Sequence, residues 1–174
     1  MEQLLSKLFE KSIELNDYTY SDEQIEKKWI GNPKTTLAEI KIVETKLNVK
    51  FPNDYKDILL ISNGFLTSTD AVEPSFVPIQ KVDYFKNIFP ESVEIWTNNE
   101  PKGIFEEDLE RSIIVAGINE EQQFLLIPPN EKSKTWKYWK FANWIPGEEE
   151  YENLTEYING VIEFLNEEIN ENKE

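Results

Sequence analysis

The sequence predicts an α+β domain: a central antiparallel, or mixed, sheet of about five to six strands flanked by helices. Three observations carry that expectation. Apolar residues recur at helical spacing near the start, strand-like runs crowd residues 112–141, and helical spacing returns over 153–169 without any βαβ alternation. A chain of 174 residues, 39% of them hydrophobic, fits one core over residues 1–174. With 13% aromatic content and five tryptophans, rings should dominate the packing of that core.

Residues 1–15 place Leu4, Leu5, Leu8, Ser12 and Leu15 three and four apart, the stripe of an amphipathic helix. Residues 16–34 read as a polar connector, with Trp29 as its anchor and a GNP turn at its end. Thr36 and Glu39 form a capping box that opens a helix carrying Leu37, Ile40, Val43 and Leu47. In FPNDYKDILLISNGF, residues 51–65, Pro52 suits a first turn, and Asn53 or Asp54 can cap it. Asn63 and Gly64 can take the left-handed geometry that closes the helix, while Ile58 to Ile61, Phe65 and Leu66 join the core. The stretch SFVPIQKVDYF reads as a short strand broken by Pro78, then a helical turn carrying Val82 and Phe85.

Four strand-like runs follow, at 92–96, 112–117, 122–127 and 135–141, with a hairpin through 118–121. The last run puts Trp136, Tyr138 and Lys140 on one face and Lys137, Trp139 and Phe141 on the other, so rings face both ways. Packing in the core is the favoured role for these rings and Trp144, because stacking on nucleic acid needs a cationic groove. Residues 153–169 carry Leu154, Tyr157, Ile158, Val161, Ile162, Leu165 and Ile169 at helical spacing behind an Asn153–Glu156 capping pair; residues 170–174 read as frayed.

Charge and residue type narrow the function. Eighteen basic against 34 acidic residues leave a formal charge of −16, which disfavours direct contact with nucleic acid or anionic membranes and suits a basic partner. Histidine and cysteine are both absent, removing the commonest general base and every thiolate site. Neither a G-x-S-x-G elbow nor a glycine-rich phosphate loop occurs. The run Glu106, Glu107, Asp108 and Glu110 lacks the order of a calcium loop, and no motif marks an acid pair. No catalytic residue, cofactor or metal is therefore assigned. The N-terminus alternates charge with leucine, unlike a signal peptide, and cytoplasm is the expected compartment.

The helix IKIVETKLNVKFPNDY, the segment YKDILLISNGF, the following FVPIQKVDYF, the pair SIIVAGINEEQQFLLIPP and the strand WKYWKFANWIPG occur in an order that resembles the SUKH superfamily, or Smi/Knr family, over residues 35–165. Phe51 stands where leucine is common, a conservative exchange. The resemblance implies an antiparallel sheet flanked by helices and no known catalytic activity. It further implies a binding role, in bacteria commonly as an immunity protein that neutralises a cognate polymorphic toxin of nuclease or deaminase type. Regulatory scaffolds of the same superfamily are the alternative, and an acid-pair enzyme is a third reading.

Two acidic patches are the candidate partner-binding surface. Glu106, Glu107, Asp108 and Glu110 precede a strand; Glu148, Glu149, Glu150 and Glu152 follow a turn beside Trp144 and Tyr151. Under the binding reading they meet a basic cleft in a toxin, with aromatics giving affinity and rim charges raising the association rate. Under the bland reading they are solvated loops.

Overall fold

Five strands form one antiparallel sheet in the order β1-β2-β3-β4-β5: Asp83–Tyr84, Ile113–Ala116, Gln122–Ile127, Lys137–Ala142 and Glu148–Tyr151. The structure, a computed structural model, describes residues 1–67, 73–98, 102–142 and 148–173, without the side chains of Asp17 and Glu148. Among these residues there are eight α-helices: α1 Glu2–Leu15, α2 Asp22–Lys27, α3 Leu37–Lys46, α4 Asn53–Leu59, α5 Phe85–Ile88, α6 Pro90–Thr97, α7 Ile104–Arg111 and α8 Leu154–Glu171.

Both faces of the sheet are buried, as the rings on either side of β4 required. On the first face Ile113, Phe124, Leu126 and Tyr138 join buried residues of α1, α3, α4 and α8. On the second, Ile114, Leu125, Ile127, Trp139 and Phe141 pack under Phe85, Val93 and Leu109 of α5 to α7. The β2–β3 hairpin turns at Gly117, whose φ of 82° is left-handed and whose Cβ, if present, would lie 1.9 Å from the Gln122 carbonyl oxygen.

Helix α8 buries all seven of its predicted apolar residues and packs along α1. Asn153 accepts from Glu156 N–H, whereas the Glu156 carboxylate accepts from Glu152 N–H, one residue earlier than a capping box would have it. The helix continues to Glu171, past the expected fraying point, and Lys173 pairs with Glu14 of α1 at 3.0 Å. Helix α3 has the predicted Thr36–Glu39 box, but Leu37 lies 66% exposed, outside the buried stripe of Ile40, Val43 and Leu47.

Several expectations are corrected. The connector at 16–34 contains α2, opened by a Ser21–Gln24 capping box and closed by Lys28 at φ 50°. None of its residues is buried, so no apolar period announces it. Residues 92–96 lie in helix α6, not in a strand: Pro90 starts the helix and Val93 and Thr97, four apart, form its buried side. The acidic run at 106–110 is part of α7, not a loop before a strand. The N-cap position of α4 is Pro52, without a side-chain cap, and of the two candidates Asp54 meets the first turn, its Oδ1 accepting from the Tyr55 N–H at 2.8 Å. Asp54 also accepts from the Tyr138 hydroxyl at 3.0 Å and the Leu154 N–H at 3.0 Å, tying α4 to β4 and α8. Gly64, at φ 87°, takes the left-handed position that ends this segment, Asn63 does not, and Leu66 is exposed. In the 75–85 stretch, Phe76 makes only isolated bridges, to Phe65 and Ala116, before a 3-10 turn at Ile79–Lys81.

Candidate functional site

The two acidic patches each carry four carboxylates and have different surroundings. On α7, every carboxylate has a partner. Glu106 reaches back to the Gly103 N–H at 3.0 Å, bracing the first turn. Glu107 meets Lys132 Nζ at 2.6 Å, and Glu110 pairs with Lys102. Asp108 is 2% exposed; its Oδ1 accepts from Arg111 Nε at 3.0 Å and Nη2 at 2.5 Å, and its Oδ2 faces Lys137 Nζ at 2.8 Å. Two cations thus converge on one buried anion, fastening α7 to β4. Lys137 also lies 5.8 Å from the centre of the Trp139 ring.

On β5 and just after it, Glu150 and Glu152 are exposed, and Glu149, also exposed, is hydrogen-bonded with Tyr151. The register sets Phe141 opposite Glu148, Lys140 opposite Glu149, Trp139 opposite Glu150 and Tyr138 opposite Tyr151. Because residues opposite each other share a face, Glu150 belongs to the side covered by α7, while Glu149 and Tyr151 belong to the side of α8. Glu149, Glu150 and Glu152 are exposed, and among the described residues no Lys or Arg pairs with them. Phe105, beside Glu106, stacks on Trp139 with centroids 5.7 Å apart, and Trp139 is the register partner of Glu150. Trp144, expected beside the second patch, lies outside the described residues.

Behind β5 sits a polar cluster that sequence reasoning missed. Glu73, 6% exposed, accepts from Lys140 Nζ at 2.8 Å through Oε1 and from the Tyr157 hydroxyl at 2.8 Å through Oε2. Tyr157 is packed in turn on Phe124, 4.3 Å between centroids, and edge-on to Tyr151 at 5.2 Å. Burial, and then the charge of Glu73, push the Tyr157 hydroxyl well above the ordinary tyrosine range. Burial also raises Tyr151, assisted by its hydrogen bond with Glu149 and by the charge of that carboxylate. Lys140, which the alternation of the strand sets on one face with Trp136 and Tyr138, is committed to this cluster. The expected core role of the rings holds for Tyr138, Trp139 and Phe141, all buried, and Trp136 is partly buried against the same core.

A meander sheet clad by helices on both faces defines an α+β protein. A model of the SMI1 / KNR4 family (SUKH-1) matches residues 34–167, and the chain belongs to that family. The match begins just before α3, so α1 and α2 lie outside it, although α1 contributes Leu5, Leu8 and Phe9 to the core. Comparison with curated proteins finds no match. No helix among the described residues is long and apolar enough to cross a membrane.

Proposed function

We propose that this protein works by binding alone, as an immunity protein that neutralises a cognate basic toxin of nuclease or deaminase type through its acidic surface. The single observation that carries the reading is that Glu149, Glu150 and Glu152 are exposed with no Lys or Arg paired to them among the described residues, in a chain of net charge −16. Such a surface imitates the phosphates that a nucleic-acid-processing toxin would hold, and it attracts that toxin before contact. Membership of the SMI1 / KNR4 family supports the same reading. One crevice with two carboxylates in its wall suits a surface groove more than an acid-pair active site. It is about 490 Å³, is lined by Glu94 and Glu110 together with Lys86 and Lys102, and Glu110 is already tied to Lys102.

The test is genetic and kinetic. A large gene beside this one should encode a C-terminal module that kills cells, and co-expression of this protein should rescue them. Association of the purified pair should slow about tenfold or more between low and physiological salt, as expected for steering screened within ~8 Å. A gene with no toxic neighbour, and capture of cellular regulators instead, would replace this reading with a scaffold role.

A further inference from the structure

We infer that the partner docks by strand addition: an extended Lys/Arg-rich segment hydrogen-bonds along the outer edge of β5, Glu148–Tyr151, as a sixth strand. The inference rests on the binding reading above and specifies its geometry. Among the described residues β5 pairs only with β4, and in an antiparallel pair alternate residues direct their N–H and C=O groups away from the neighbour. Part of the backbone of β5 therefore faces outward as a template.

The opposite edge of the sheet shows what a closed edge looks like here. Strand β1 is two residues long, Asp83 is paired with Lys46 at 2.6 Å, and the Tyr84 hydroxyl is spent on the Leu47 carbonyl at 2.7 Å. Strand β5 is twice that length, and its glutamates carry no such cations among the described residues. Charge on an edge ordinarily guards against unwanted pairing. One-signed charge guards selectively. A second copy of this chain would set carboxylates against carboxylates at about 5 Å across the new pair, whereas a cationic strand would be drawn in. The edge is also braced from behind, by Tyr151 against Tyr157 and by the Lys140–Glu73 pair, so little ordering is required on binding. Glu150 on one face and Glu149 on the other mean that cations on either side of the incoming strand find a carboxylate.

Amide hydrogen exchange of the full-length protein, followed by NMR, tests this with three eight-residue peptides at millimolar concentration. One alternates Lys and Val, one alternates Lys and Pro at equal charge, and one alternates Glu and Val. The Lys/Val peptide should slow exchange of the outward β5 amides tenfold or more, the other two should not, and Glu150→Lys should cut the protection at least severalfold. Unchanged β5 exchange, or equal protection by Lys/Pro, would overturn strand addition. Protection that instead grows with protein concentration alone would show a second copy at the edge and overturn it equally. The immunity reading is judged separately, by rescue of cells, and survives any of these failures.

Discussion

Helix α7 and strand β5 each carry four acidic residues within five positions or close beside them, yet they are opposite electrostatic objects. On α7 the carboxylates answer Arg111, Lys102, Lys132, Lys137 and a helix-start N–H, so their charge is consumed in holding the helix to the sheet. On β5 the backbone is held by β4, the ring of Tyr151 packs against the core, Glu149 is hydrogen-bonded with Tyr151, and Glu150 is exposed with no Lys or Arg paired to it among the described residues. A run of glutamates is thus not a binding surface by composition. What decides is whether the cations that could answer it are placed elsewhere in the fold.

The sharpest break in this comparison should come from the residue between the two regions. Trp139, 1% exposed, supports Phe105 of α7 on one side of the sheet and pairs with Glu150 in register. Trp139→Ala should cost about 3–5 kcal/mol in urea unfolding, because a large void opens where no neighbour can collapse fully. A variant with unchanged melting temperature would remove Trp139 from the core. Next in size, Asp108→Ala should cost about 2–3 kcal/mol, since Arg111 and Lys137 lose their shared anion while each stays only about one-fifth exposed. Glu150→Ala, with the same charge change on an exposed residue, should stay within about 0.5 kcal/mol. Equal losses for Asp108→Ala and Glu150→Ala would erase the distinction between the regions. For partner capture the order reverses: Glu150→Lys should weaken it and Glu107→Lys should matter less.

The parts of this fold legible from sequence are those whose signal is local and repeated. The seven-residue stripe of α8, the Thr36–Glu39 box and the β2–β3 hairpin all lie within one element or one turn. Helix α6 failed because five residues, SVEIW, satisfy a period of two as well as one of 3.6, and the Pro90 start signal lies outside that window. Helix α2 failed for want of any buried face, although Ser21 and Gln24 spelled out its capping box. The candidate site was legible as acidic residues and illegible as geometry. The Lys140–Glu73 contact spans 67 residues and the Asp54–Tyr138 contact 84, distances over which no sequence period carries information. Helix α7 is the clearest loss, since its charged residues concealed Leu109, the apolar side chain that anchors it under the second face.

The smallest predicted effect separates the regions spectroscopically. Tyr138, Tyr151 and Tyr157 surround the inner side of β5 with raised hydroxyl pKa values, each chiefly through burial, while α7 contains no tyrosine. A folded pKa above the unfolded value near 10 means that stability from these groups is fully present below about pH 10. It is lost as pH rises further, because the unfolded chain ionises first and is favoured by doing so. Absorbance near 295 nm should therefore show late tyrosine ionisation coinciding with alkaline unfolding. Glu149→Gln removes the carboxylate that assists burial in raising Tyr151, so part of that ionisation should move to lower pH, while Glu107→Gln should leave the curve unchanged. Burial persists in both variants, so the displacement should be small. Its absence would mean that Glu149 turns wholly outward and that β5 presents one more free carboxylate than its hydrogen bond to Tyr151 allows.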